Sequence, residues 1–241
     1  MPLLTARLLG SPLLLDASGA PLCIPSTKAA ALFYYMIVNR HVHSRDRLAG
    51  MLWPEVPERN AQASLRTALY DLRRCLGECG AALLLVDRTR MGLASDADVE
   101  SDVSAIEAVA RIGEDGAQTE AVLRAAVASY RGPFLEGVHF GDAFDLDDWL
   151  SLERERLANL HATALCRLAE VEAGRGELLS AIDLVRRLLL FDPLREDMHR
   201  ALMRYLAISG QRSAALAQYS VCVDLLQREL GVAPLASTTE L

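Results

Sequence analysis

Lysine is nearly missing from this chain: Lys28 is the only one, and arginine carries the rest of the positive charge. No glycine-rich loop precedes Lys28, so there is no G-x-x-x-x-G-K-[ST] cradle for nucleotide phosphates. H-E-x-x-H and G-x-S-x-G are absent as well, which removes the helical zinc site and the nucleophile elbow. Cys23, Cys75, Cys79, Cys166 and Cys222 are an odd number, and no second close pair joins Cys75 and Cys79 to complete a zinc site. Reduced thiols in a cytoplasm are the expectation. No stretch approaches the ~18–20 uninterrupted apolar residues of a membrane span. The N-terminal MPLLTARLLGSPLLLDASG lacks a basic leader, and Arg7, Gly10 and Pro12 break its apolar runs, so it reads better as strands than as a signal peptide. These absences predict a soluble cytoplasmic protein that is not an enzyme, holds no cofactor or metal and has no membrane partner.

What is present is a large hydrophobic fraction, 51% of 241 residues, enough to fill one large core or two modest ones. The net charge of −7 argues against a nucleic-acid partner only if it is spread evenly. Residues 1–98 hold 11 basic and 9 acidic side chains, a net +2, whereas the remainder holds 14 and 23, a net −9. Only the first part can face phosphate without strong repulsion.

The central stretch is RNAQASLRTALYDLRRCLG, Arg59 to Gly77. At helical spacing Ala61, Leu65, Ala68, Leu69, Leu72 and Leu76 share one side. Arg59, Asn60, Ala63, Thr67, Tyr70 and Arg74 fall opposite, with Arg66 and Arg73 on the flank. Alone, this is also the pattern of an ordinary solvated amphipathic helix. Its context favours a reader of the DNA major groove, where Arg and Asn reach base edges and the other groups hold phosphates. Before it, Leu4 to Pro25 alternates weakly around two turn signals and predicts two to four short strands. Ser26 then caps a helix with Ala30, Leu32, Phe33, Met36 and Ile37 inward. Ser44 caps a second helix, SRDRLAGMLWPE, stopped by Pro54. After the central helix, ALLLVDRTRMGLA predicts a hairpin with a basic tip at Arg88-Thr89-Arg90.

Strands, three helices and a hairpin predict a winged helix-turn-helix domain with an N-terminal sheet, in which the third helix enters the groove. Arg88 and Arg90 on the wing, and Lys28, Arg45 and Arg47 near helix starts, are candidate phosphate contacts. Trp53 is either a core or hinge aromatic or a phosphate contact through its indole N–H.

The acidic Asp98–Asp102 predicts a boundary, giving domains 1–98 and 99–241, the second all helical. VSAIEAVARIG, TEAVLRAAVASYRG and a long WLSLERERLANLHATALCRLAEVEAG come first, and three more helices close the chain. Gly176 and Ala181 recur as Gly210 and Ala215, both displaced by 34 residues. Leu168, Ala169, Leu188 and Pro193 in the first unit, and Leu202, Leu206 and Tyr219 in the second, fit tetratricopeptide-like helix pairs, though the second lacks its closing proline. The loop HFGDAFDLDDW gathers Asp142, Asp145, Asp147 and Asp148 without the spacing of a calcium loop, and reads as a solvated loop leading into a helix N-terminus. His41 and His43 lack carboxylate or cysteine partners in sequence.

RDRLAGMLWPE, ASLRTALYDLRRCLG, YRGPFLEG, WLSLERERL, DPLREDMHRALM, SGQRSAALAQY and ELGVAP together resemble the antibiotic-regulatory-protein (SARP-type) transcriptional activators. The likeness runs over nearly the whole chain. It implies an OmpR-like winged helix joined to a bacterial transcriptional activation domain. It further implies promoter binding at direct repeats and recruitment of RNA polymerase holoenzyme. By position, Arg59 to Arg74 become the recognition helix, and Arg88 and Arg90 the wing. The family's larger members continue past ELGVAP, so a chain stopping at STTEL is expected to be a short member or part of a longer regulator. No receiver domain is seen, so response-regulator phosphorylation is not implied. A homodimer is left open. The alternative is a tetratricopeptide-like interaction adaptor in signalling without DNA binding of its own.

Overall fold

The computed structural model describes residues 2–113 and 116–241. They are mainly helical with a small β component, and the chain folds as two compact units, Met1–Glu107 with Ser129–Ala158, and Ala108–Ala128 with Asn159–Leu241. The first unit begins with β1 (Leu4–Arg7) and β2 (Leu13–Asp16), an antiparallel pair with Leu4 opposite Asp16 and Arg7 opposite Leu13. Then come α1 (Thr27–Val38), β3 (His43–Ser44), α2 (Arg45–Leu52) and α3 (Glu58–Leu76). They are followed by α4 (Cys79–Leu83), β4 (Leu84–Val86), β5 (Arg90–Leu93), β6 (Val99–Ser101) and α5 (Asp102–Glu107). A 3-10 turn, Ala108–Arg111, leads to α6 (Gly116–Ser129) and α7 (Phe144–Gly174). The chain closes with α8 (Leu178–Phe191), α9 (Glu196–Ile208), α10 (Arg212–Leu230) and α11 (Ala236–Thr239).

Helix α1 starts where a serine can cap it, the Ser26 hydroxyl accepting the Ala29 N–H at 3.3 Å. Its buried face takes Ala29, Ala31, Leu32, Phe33, Tyr35, Met36 and Ile37; the expected Ala30 is only half-buried. Ser44 does occupy the N-cap position of α2, but its side chain makes no capping bond. Its backbone belongs to β3, which pairs with Arg90 of β5. That two-residue strand gives a three-stranded sheet in the order β3-β5-β4. Gly92 permits it, because a Cβ there would lie 2.9 Å from the His41 carbonyl oxygen. His43 is correspondingly buried, its ring 5.0 Å from Tyr35 and its Nε2 3.0 Å from the Asn39 carbonyl. The hairpin starts later than the apolar run Ala81–Leu83 suggests: those residues are helical in α4, where Gly80 lets the backbone sit close on Leu76.

The stretch after residue 98 is not wholly helical. β6 runs parallel to β1 and completes the sheet β2-β1-β6. Val99 and Ser101 point inward and Glu100 outward, too short an alternation to stand out from its acidic neighbours. The cut expected at residue 98 therefore falls within the first compact unit. Asp102, at the start of α5, accepts the Leu8 and Leu9 amides at 2.8 and 3.0 Å and pairs with Arg131 at 3.4 Å. The segment YRGPFLEG closes on the same edge. Leu135 N–H donates to Leu8 O at 2.8 Å, Glu136 N–H to Gly10 O, and Gly10 N–H to Pro133 O. Gly10 has φ +96°, which favours glycine, and a Cβ on Gly132 would stand 3.2 Å from the Gly10 Cα, a tight approach of the two backbones.

In the second unit, Leu123, Ala126, Leu165, Leu168, Ile182, Val185, Leu188, Leu202 and Leu206 share one apolar core. The 34-residue offset is visible in the backbone. Gly176 and Gly210 both turn with positive φ, +84° and +82°. Glu177 N–H returns to Glu172 O at 2.9 Å, and Gln211 N–H returns to Leu206 O at 2.8 Å. Such left-handed glycine closures satisfy the last carbonyls of a helix and reverse the chain at the same angle twice. Ala181 and Ala215, one turn into the next helices, are both buried. Glu120 is held by Arg124 (2.9 Å) and Arg175, which keeps its carboxyl below the usual range, and Glu172 pairs with Arg124. The C-terminal α11 docks through Glu196, which accepts the Leu235 N–H at 2.7 Å and the Thr238 hydroxyl.

His161 on α7 is 2% exposed and meets Phe191 edge to face at 5.5 Å. Burial, reinforced by Arg187, lowers its pKa from 6.5 to about 4. The unfolded chain takes up this proton near pH 6.5, and the folded chain only near 4. Stability is thus intact above 6.5 and falls as pH drops through that window, by about 3 kcal/mol in all. In denaturant midpoints measured at pH 7 and pH 4.5, His161→Leu is expected to lose this part of the acid sensitivity. An acid shift equal to that of the parent chain would show that His161 is not its source.

Candidate nucleic-acid interface

Helix α3 owes its position to one face. Ala61, Leu65, Ala68, Leu69, Leu72 and Leu76 are all buried, and α3 packs on α1 and α2. Gly77 ends the helix with φ +56°, a conformation costly for other residues. The opposite face is open. Arg59, Asn60, Ala63, Arg66, Thr67, Tyr70, Arg73 and Arg74 are all exposed, Tyr70 to 65%. Thr67 bonds back to Ala63 O at 3.3 Å, and Arg74 lies 4.0 Å from Asp71, a loose surface pair that leaves its guanidinium available. Arg73 sits apart from the others, lining a cleft with Gly77, Gly80 and Leu84.

The hairpin between β4 and β5 is fixed at its tip by Asp87. Its carboxylate accepts the Thr89 and Arg90 amides at 2.8 and 2.7 Å, and these bonds hold its pKa below the usual range. Arg45 at the start of α2 is tied to the same turn, its amide donating to Thr89 O at 2.9 Å and its guanidinium to Asp87 O at 3.1 Å. As a result Arg45, Arg66 and Arg88, from three different elements, line one cleft of about 290 Å³ with Asp46 and Gln62. Arginines from a helix start, a helix face and a hairpin tip converge only because the fold joins them.

Not every expected contact joins this cluster. Lys28 is turned to its own unit: its ammonium donates to Phe140 O at 3.1 Å and pairs with Asp142, whose carboxyl it holds below the usual range. It is a structural cation here, not one presented to a ligand. Arg90 begins β5 rather than standing at the tip, and pairs with Asp87 at 3.4 Å. Arg47 is exposed but lines a different cleft. Trp53 is half-buried, and its backbone N–H closes α2 by donating to Ala49 O at 2.9 Å, a bond in which the indole takes no part. Of the four aspartates of the acidic loop, Asp145, Asp147 and Asp148 lie in α7, which starts at Phe144 rather than Trp149. Asp147 accepts the Phe140 amide at 3.1 Å.

Gln62 was missed, although it lies between Arg59 and Arg66 at helical spacing. Its amide donates to Asp46 at 2.9 Å, which leaves its carbonyl oxygen free to accept and orients it beside the arginines. A planar amide between guanidinium groups is a donor and acceptor set that matches base edges, with the arginines equally suited to phosphate.

Residues 96–241 match the family model of the bacterial transcriptional activator domain, more than half of the chain. The chain belongs to that family. Over 233 residues it is 27% identical to the transcriptional regulatory protein MoaR1 of Mycobacterium tuberculosis, covering 92% of this chain and 73% of MoaR1. It is 28% identical over 252 residues to the regulatory protein AfsR of Streptomyces griseus, covering 96% of this chain but 23% of AfsR. The transcriptional regulatory protein EmbR of M. tuberculosis is 27% identical, with 58% of EmbR covered. A solved structure of M. tuberculosis EmbR, in complex with a low-affinity phosphopeptide, superposes with a TM-score of 0.74 over all of this chain and 64% of that one. At 24% identity that likeness speaks for the fold. Together these place the chain among the SARP-type bacterial transcription regulators. No helix among the described residues is long and apolar enough to cross a membrane.

Proposed function

We propose that this chain is a sequence-specific, DNA-binding transcriptional activator acting in the cytoplasm. In this reading residues 1–98, with β6 completing their N-terminal sheet, form a winged helix of the OmpR/PhoB-like kind. α3 lies in the major groove, α2 crosses the backbone, and the β4–β5 tip is the wing. The second compact unit, with its tetratricopeptide-like pairs, contacts RNA polymerase or a regulatory partner. The observation that carries the reading is the convergence of Arg45, Arg66 and Arg88 on one cleft beside the open, cationic face of α3. Exposed Leu179, Leu190, Phe191, Ile208 and Leu216 on the helices of the second unit supply apolar surface for a protein partner.

Genomic fragments retained by the purified protein, once sequenced, would give a shared motif, and its occurrence as a direct repeat would fit two copies of the chain side by side. Retention should weaken steeply with salt, as each neutralised phosphate releases counterions. Retention that ignores salt, or fragments with no common motif, would leave the adaptor reading in its place.

A further inference from the structure

The second cleft of the first unit has the opposite character. It holds about 570 Å³ and is walled by Tyr35, Trp149 and Met51. The two rings meet edge to face at 5.0 Å; Tyr35 is only 6% exposed, so the half-buried Trp149 indole is the main aromatic surface the cleft presents. Around it stand three carboxylates, Asp46, Asp145 and Asp148, against one guanidinium, that of Arg47. Asp145 and Asp148 are exposed and lie in the first turns of α7. A ring face beside carboxylates attracts cations twice over, through the quadrupole and through charge. The cleft is open to solvent, and its volume lies within the range of small-molecule clefts.

Asp46 also lines the cationic cleft, where Gln62 donates to it. One carboxylate therefore serves both cavities. A cation bound on the aromatic side competes with the Gln62 amide for it, and Gln62 sits among the arginines of α3 and the hairpin tip.

We propose that this aromatic, acidic cleft binds a small organic cation of amidinium or guanidinium type, and that its occupancy is sensed by Gln62 through Asp46. The link to DNA rests on the reading given above, whereas the binding itself does not. Benzamidine is a suitable probe, with neutral benzamide as its isostere and sodium chloride matching the ionic strength. Because the chain has two tryptophans, Trp53→Phe leaves Trp149 as the only indole reporter. The expected result is a saturable change in Trp149 emission with benzamidine and none with benzamide. Asp145→Asn and Asp148→Asn should each weaken binding about 3- to 10-fold. Gln62→Ala, which frees Asp46, should tighten binding about 2- to 3-fold.

An equal response to benzamide, or unchanged affinity in both aspartate variants, would overturn the cation site. Unchanged affinity in Gln62→Ala would overturn the coupling. Far-UV circular dichroism of each variant separates lost binding from lost fold. A chain that binds benzamidine in this way but retains no DNA would count against the activator reading alone.

Discussion

Arg66→Ala and Arg88→Ala are each expected to lower affinity for a retained promoter fragment about tenfold, and together about a hundredfold. Both side chains line the same cleft, one on the open face of α3 and one at the hairpin tip. The two losses have different signatures. On the proposed reading Arg66 takes a base edge bidentately, an interaction of about 1–3 kcal/mol, so its removal should also relax sequence preference at one position. Arg88, at the tip, is expected to hold phosphate. Its removal should weaken all sequences alike and reduce the salt slope by about one unit. Fluorescence anisotropy across a salt series with matched and scrambled duplexes measures both. Leu65→Ala is the necessary contrast. Leu65 is 1% exposed, so its truncation should destabilise the fold by ~2–5 kcal/mol through a cavity. Arginine variants with full affinity and full specificity would remove α3 as the reader.

The long helices were legible because their periods are long. All six leucines and alanines expected on the inner face of α3 are buried, and the face opposite is open throughout. The 34-residue offset was legible too, since Gly176 and Gly210 are demanded by the same left-handed turn. The strands were harder. β3 has two residues and β6 three, fewer than an alternating pattern needs, and β6 lies in an acidic stretch that resembles a linker. Non-local pairing was harder still. Lys28 finds Asp142 across 114 residues of sequence, and no local pattern distinguishes that cation from one awaiting phosphate. The cationic cleft falls between these cases. Each of Arg45, Arg66 and Arg88 was visible singly, but their meeting depends on the Arg45–Thr89 backbone bond, a consequence of β3. Gln62 was hidden by its neutrality among arginines.

The consequence of those long-range pairings is a second large effect. Phe134→Ala is expected to destabilise the first unit by ~3–5 kcal/mol, the usual range for a buried aromatic truncated to alanine. Phe134 is 1% exposed and meets Trp149 edge to face at 5.7 Å. Its carbonyl accepts Arg154 Nε at 2.8 Å, and its backbone pairs with Leu9 beyond β1. By sequence it lies well past the acidic Asp98–Asp102 stretch, yet it packs with the sheet that precedes it. Removing the ring should therefore loosen Leu8 and Gly10, the acceptors of the Leu135 and Glu136 amides. Urea unfolding followed by tryptophan emission measures the loss, and hydrogen exchange at Leu135 and Glu136 locates it. If Ser129–Ala158 were no part of the first unit's core, Phe134→Ala would leave those two amides as protected as in the parent chain, and the assignment of this segment to the N-terminal sheet would have to be given up.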